Sequence, residues 1–135
     1  MNPYQYVVLR CVPRVDREEF VNVGVVVYCQ QADLLQSGCR VDEARVRALW
    51  PEFNIDSLRS ALAFVDGVCR GDAQLGAAAS GDLGTRFGFL KAPRSTVVQP
   101  SPVHGGITDD PAAEVGRLLD LLVGQTGTSS TAPTA

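Results

Sequence analysis

The single histidine, His104, stands ten positions after Arg94 in the stretch Arg94-Ser95-Thr96-Val97-Val98-Gln99-Pro100-Ser101-Pro102-Val103-His104-Gly105-Gly106. Arg86, Lys91, Arg94 and His104 fall within nineteen residues, opposed only by Asp82 just upstream. A guanidinium can grip a phosphate or carboxylate in a two-pronged fork. Ser95, Thr96, Gln99 and Ser101 add neutral hydrogen-bonding groups, and Gly105-Gly106 permits close backbone approach. The stretch therefore reads as an exposed loop that could bind an anionic small molecule. Arg94 would supply fixed charge, and His104 would add charge only towards acid pH. The pair must converge in the fold to act together. The competing reading is that these groups merely solvate an edge strand and its loop.

Covalent catalysis would need a nucleophile, a base and an orienting group. Ser95, Ser101 and Cys11 are the candidate nucleophiles, with His104 the sole imidazole base. Neither serine lies in a G-x-S-x-G elbow, and no phosphate-cradling G-x-x-x-x-G-K-[ST] run is present. With no recognisable acid/base pair, the chain does not declare itself an enzyme. One histidine and scattered cysteines give no metal-ligand spacing, and no cofactor is expected. Asp109-Asp110 is better explained as a helix start, where carboxylates suit the helix dipole.

The net charge of −3 argues against a general nucleic-acid or membrane-surface binder. Eleven of the twelve basic residues are arginine. Cys11, Cys29, Cys39 and Cys69 form no C-x-x-C pair, so they read as reduced, structural residues. The polar-aromatic start does not resemble a signal peptide, and no apolar run approaches the roughly 20 residues that span a bilayer. A cytoplasmic location is the expectation.

The elements that must position these groups come early. Tyr4 to Val12 alternates as a strand, with Tyr4, Tyr6, Val8 and Arg10 on one face. Phe20 to Tyr28 is nearly all apolar and reads as a central strand covered on both faces. Gly24 within it suggests a bulge or a close backbone approach. Asn22 is a polar amide in this apolar strand and needs partners, so it could brace a loop or a ligand. The seven-residue charged connection is too short for a parallel crossover, so the two strands should pair antiparallel. Arg14, Arg17, Glu18 and Glu19 in it could greet a partner or simply solvate the hairpin.

Leu34 to Val41 makes a third strand, interrupted at Gly38. Asp42 offers an N-cap to a short helix ending at Trp50-Pro51. A longer helix from about Asp56 to Cys69 buries the stripe Leu58, Ala61, Leu62, Val65, Cys69. Gly71 to Gly84 reads as a loop with a helical fragment, and Thr96 to Gln99 as a short strand. Asp110-Pro111 starts a last helix with Val115, Leu118, Leu119 and Leu122 inward and Gly124 as its stop. Residues 1–124 should form one α+β domain: a small antiparallel sheet built on an N-terminal hairpin, with helices packed on one face. Residues 125–135 are too polar to order themselves and read as a disordered tail.

Tyr6-x-x-x-Arg10-x-x-Pro13, Glu19-Phe20-Val21-Asn22-Val23-Gly24-Val25, Ala92-Pro93-Arg94-Ser95, Val98-Gln99-Pro100-Ser101-Pro102 and Gly106-x-x-x-Asp110-Pro111 together resemble the bacterial family called domain of unknown function 3037. The resemblance covers most of residues 4 to 123 and carries no catalytic residue. Members of that family are often encoded beside a kinase resembling the serine/threonine kinases of persistence toxin–antitoxin systems, which implies a protein partner of that type. Two functions follow as expectations. One is a small cytosolic accessory protein that binds a protein partner. The other is a phosphate- or phosphoester-binding domain, or an enzyme, using the Arg94–His104 loop. A pocket shared by Arg10, Asn22, Arg94 and His104 would favour the second. A flat apolar patch would favour the first. Oligomeric state is not legible.

Overall fold

The computed structural model describes residues 1–124 and the backbone of residues 128–131. β1 (Asn2–Cys11), β2 (Val21–Cys29) and β3 (Leu34–Val41) form an antiparallel meander. β1 and β2 are antiparallel neighbours, as the short charged connection requires. The outer edge of β1 is shared by β4 (Val98–Pro100) and β5 (His104–Thr108), both antiparallel to it. The sheet runs β4-β1-β2-β3-β6, with β5 beside β4 on the same edge of β1. β6 (Thr128–Thr131) pairs with Gly38–Val41 of β3. Part of the segment expected to be a disordered tail is thus a strand, and residues 125–127 and 132–135 lie outside the described residues.

Two helices start at the caps expected for them, Asp42 and Asp110, and two more start at Asn54 and Asp82. Asp42 accepts from the Arg45 N–H at the start of α1 (Glu43–Leu49), and Asn54 from Asp56 N–H at the start of α2 (Ile55–Arg70). Such caps satisfy amide donors that the first turn leaves open. Asp82 caps α3 (Leu83–Lys91). Asp110 caps α4 (Pro111–Leu118), which continues as a wider π turn through Val123 to Gly124. Gly71 to Gly84 contains a 3-10 segment, Ala73–Ala79.

β2 carries a bulge. Leu9 opposes Gly24 but Arg10 opposes Asn22, so Val23 is an extra residue. The side-chain alternation therefore flips. Val21 and Val23 face one core with α1, α2 and α3; Val25, Val27 and Cys29 face a second core with α4. This corrects the expectation of helices on one face: α1–α3 share a face, and α4 covers the other. Gly24 fulfils both expectations made for it, because an added Cβ would also lie 2.6 Å from the Gly38 carbonyl oxygen. Gly38 does not break β3, which pairs with β2 without interruption. Among the described residues no helix is long and apolar enough to cross a membrane.

Candidate binding site

The stretch read as an exposed loop with a short strand contains two strands, β4 and the first three residues of β5. Its strands are held by pairing with β1 rather than by their own propensity. Ser101 joins them. Its backbone N–H donates to Val8 O and its hydroxyl accepts from Val8 N–H, both at 2.8 Å. The same hydroxyl donates to Pro102 O at 2.8 Å. Flanking prolines cannot donate, so this serine completes the edge where β4 gives way to β5. With 4% of its surface exposed, Ser101 is a structural residue, not a nucleophile or a ligand contact.

Arg94 and His104 do not converge. Arg94 sits on the α2–α3 side, its guanidinium 4.7 Å over the Phe89 ring. It donates to the carbonyls of Phe89 and Ala92. Burial lowers its pKa from the usual arginine value. His104 is exposed on the α4 side, opposite Tyr6 on β1, with ring centroids 5.3 Å apart. The sheet stands between the two. Ser95 is exposed beside Arg94. Cys11 is buried, and burial pushes its thiol up to about 11, so it is no nucleophile at neutral pH.

Three other sequence candidates do come together. In the sheet register Gln99 opposes Arg10 across β4–β1, and Asn22 opposes Arg10 across β1–β2. The row Gln99–Arg10–Asn22 thus crosses the sheet on the α4 side. The α4 segment packs chiefly on β2 and β3, reaches β1 at Tyr4, and makes no extensive contact with β4. Asn22 braces the end of that segment, donating its amide to Leu122 O at 3.0 Å. Gln99 donates to Thr96 O at 3.0 Å.

Arg10 is unlike the other arginines. Its only contact of this kind is a stack on Phe20, 4.2 Å from the ring centroid. Among the described residues it makes no hydrogen bond or ion pair, and its Nε is buried without a partner. Every other arginine bonds a carboxylate or a carbonyl. Phe20 is 45% exposed. A half-buried guanidinium with an open fork, laid on an exposed ring, is equipped to receive a carboxylate together with neighbouring apolar surface.

Sequence reasoning missed Phe20, which it placed inside a buried strand. It also missed the cluster that fixes α4. Tyr4 OH donates to Glu114 Oε2 at 3.0 Å, and Arg117 Nε donates to the same oxygen at 2.8 Å. Arg117 also reaches Tyr4 OH at 3.3 Å. Burial raises the Tyr4 pKa. Burial pushes the Glu114 carboxyl up too, but hydrogen bonds from Arg117, Tyr4 and Thr108 outweigh it and hold Glu114 below its ordinary value. Gly106 makes room: a Cβ there would lie 2.7 Å from the Tyr4 ring and hydroxyl. The local signal was the alternation Tyr4-Tyr6-Val8-Arg10, which sets two tyrosines and a charge on a strand face that is otherwise apolar. No cluster of three or more His, Cys, Asp or Glu suited to a metal occurs among the described residues.

An antiparallel sheet with helices on both faces defines a small α+β protein. The family described as "Protein of unknown function (DUF3037)" matches residues 6–123, and the chain belongs to it. No curated protein and no solved structure matches the chain.

Proposed function

We propose that the protein is a binding module that engages a protein partner through the Arg10–Phe20 end of the sheet on its α4 side. Arg10 receives an acidic side chain or terminal carboxylate of the partner, and Phe20 covers the adjoining apolar atoms. The observation that carries this reading is the unengaged Arg10 guanidinium. A charged group that a fold half-buries without a partner is costly in isolation, and docking of a carboxylate would offset that cost. Gln99 and Asn22 flank Arg10 in the sheet register, and a side-chain amide offers hydrogen-bonding groups to a peptide backbone. A kinase of the persistence-toxin type is the partner to test first, and a cytoplasmic location accords with such a partner.

The experiment is co-expression with that kinase, alongside selection of binding peptides from a random display library. Selected peptides should carry Asp, Glu or a free C-terminus. Both the peptides and the kinase should be lost on Arg10→Gln. Selection of basic or uncharged peptides indifferent to Arg10→Gln would reject the reading.

A further inference from the structure

On the opposite face of the sheet, α2, α3 and β4 enclose a cleft of about 230 Å³. Leu9, Ala61, Phe64, Leu90 and Val98 give it apolar walls, and Arg94 is the one charged residue in its lining. The guanidinium is fixed in place. Its Nε and one Nη, along one edge of the fork, donate to Ala92 O and Phe89 O, and its face rests on Phe89. The other Nη has no partner among the described residues, so the second edge of the fork remains open for a bidentate contact. A pinned arginine with one open edge, set at a cleft whose lining is apolar apart from Arg94 and Thr96, combines the two features of a small-molecule site: apolar walls and a placed polar group.

We propose that this cleft binds a small monocarboxylate with a short apolar body. The carboxylate sits on the open edge of Arg94, and the body lies against Leu9, Phe64, Leu90 and Val98. The cleft is smaller than the roughly 300–1,000 Å³ of sites for drug-sized ligands, so the ligand is correspondingly short. Charge selects carboxylate over phosphate. One cation balances one carboxylate, whereas a phosphate dianion would leave a charge uncompensated against apolar walls. This site is independent of Arg10, which lies across the sheet.

The test is titration of the ¹⁵N-labelled protein with hexanoate, 1-hexanol and inorganic phosphate. Hexanoate should shift the amides of Phe64, Leu90, Arg94 and Thr96 saturably. Hexanol and phosphate should bind at least about tenfold more weakly, as expected when a charge-assisted hydrogen bond or the apolar contact is missing. Arg94→Gln should weaken hexanoate and leave hexanol unchanged. Arg94→Lys, which keeps the charge without the fork, should fall between. Ala61→Phe, which fills the cleft, should remove both ligands while the spectrum keeps its dispersion. Phosphate binding more tightly than hexanoate would overturn the proposal, as would hexanoate shifts confined to the Arg10 row. An absence of saturable shifts in the unaltered protein would overturn it equally.

Discussion

Tyr4 on β1 gives its hydroxyl hydrogen bond to Glu114 on α4, residues 110 positions apart, at 3.0 Å. With Arg117 on the same carboxylate, this contact ties α4 to the first strand. The Glu114 pKa is lower in the folded protein than its ordinary value of 4.5. A depressed carboxylate stabilises the fold above its unfolded pKa, and that contribution is lost as pH falls through the folded value. Stability of the native protein should therefore decline below about pH 4.5, and Glu114→Gln should flatten that acid limb. Urea melts of both proteins between neutral and acid pH check this. Identical slopes would refute it.

The raised Tyr4 pKa acts at the other end. The neutral phenol is favoured in the fold, so its contribution is present below the unfolded value of 10.0 and lost as pH rises beyond it. Tyr4→Phe should lower stability at neutral pH by about 1 kcal/mol or more, because Glu114 and Arg117 lose a buried partner. It should also weaken the alkaline decline. A variant as stable as the parent in denaturant melts would show that the hydroxyl contributes nothing.

Gly24→Ala should destabilise by about 1–3 kcal/mol, the usual cost of forcing atoms into a packed site. The added methyl meets backbone, the Gly38 carbonyl oxygen, rather than the movable end of a side chain. Chemical denaturation reads the result. A neutral effect would mean that the bulge relaxes freely.

Leu119 is fully buried in the α4 core, whereas Leu62 borders a groove beside α2. Both leucine-to-alanine changes should cost roughly 2–5 kcal/mol. Leu119→Ala should lie at the upper end, since its surroundings leave less room for water to replace the lost side chain. Losses below about 0.5 kcal/mol at both sites would contradict the burial seen here.

Most of the fold was legible because it is written locally. Period-two alternation marked β1 and a continuous apolar run marked β2, while the Asp42 cap marked α1, an apolar stripe marked α2, and Asp110-Pro111 with its stripe marked α4. What escaped depends on distant pairing. Gly105-Gly106 carries no strand preference, and β5 exists because β1 offers it an edge. The second helical face follows from one extra residue, Val23, that flips the alternation of β2. The candidate site divided in the same way. Arg10, Asn22 and Gln99 were singled out one at a time as polar residues in apolar company, but only strand register places them in a row. Arg94 and His104 were grouped by closeness in sequence, which a sheet between them undoes.

One titration tests directly whether Arg10 receives a carboxylate. An acidic peptide selected on the native protein is titrated calorimetrically into that protein, into Arg10→Gln and into Arg47→Gln, an exposed arginine of α1 far from the row. Loss of a charge-assisted hydrogen bond predicts at least about tenfold weaker binding to Arg10→Gln. Arg47→Gln should bind as the native protein does, and replacing the peptide's carboxylate by an amide should reproduce the Arg10→Gln loss without adding to it. Equal affinity of the native and Arg10→Gln proteins for the acidic peptide would contradict the account.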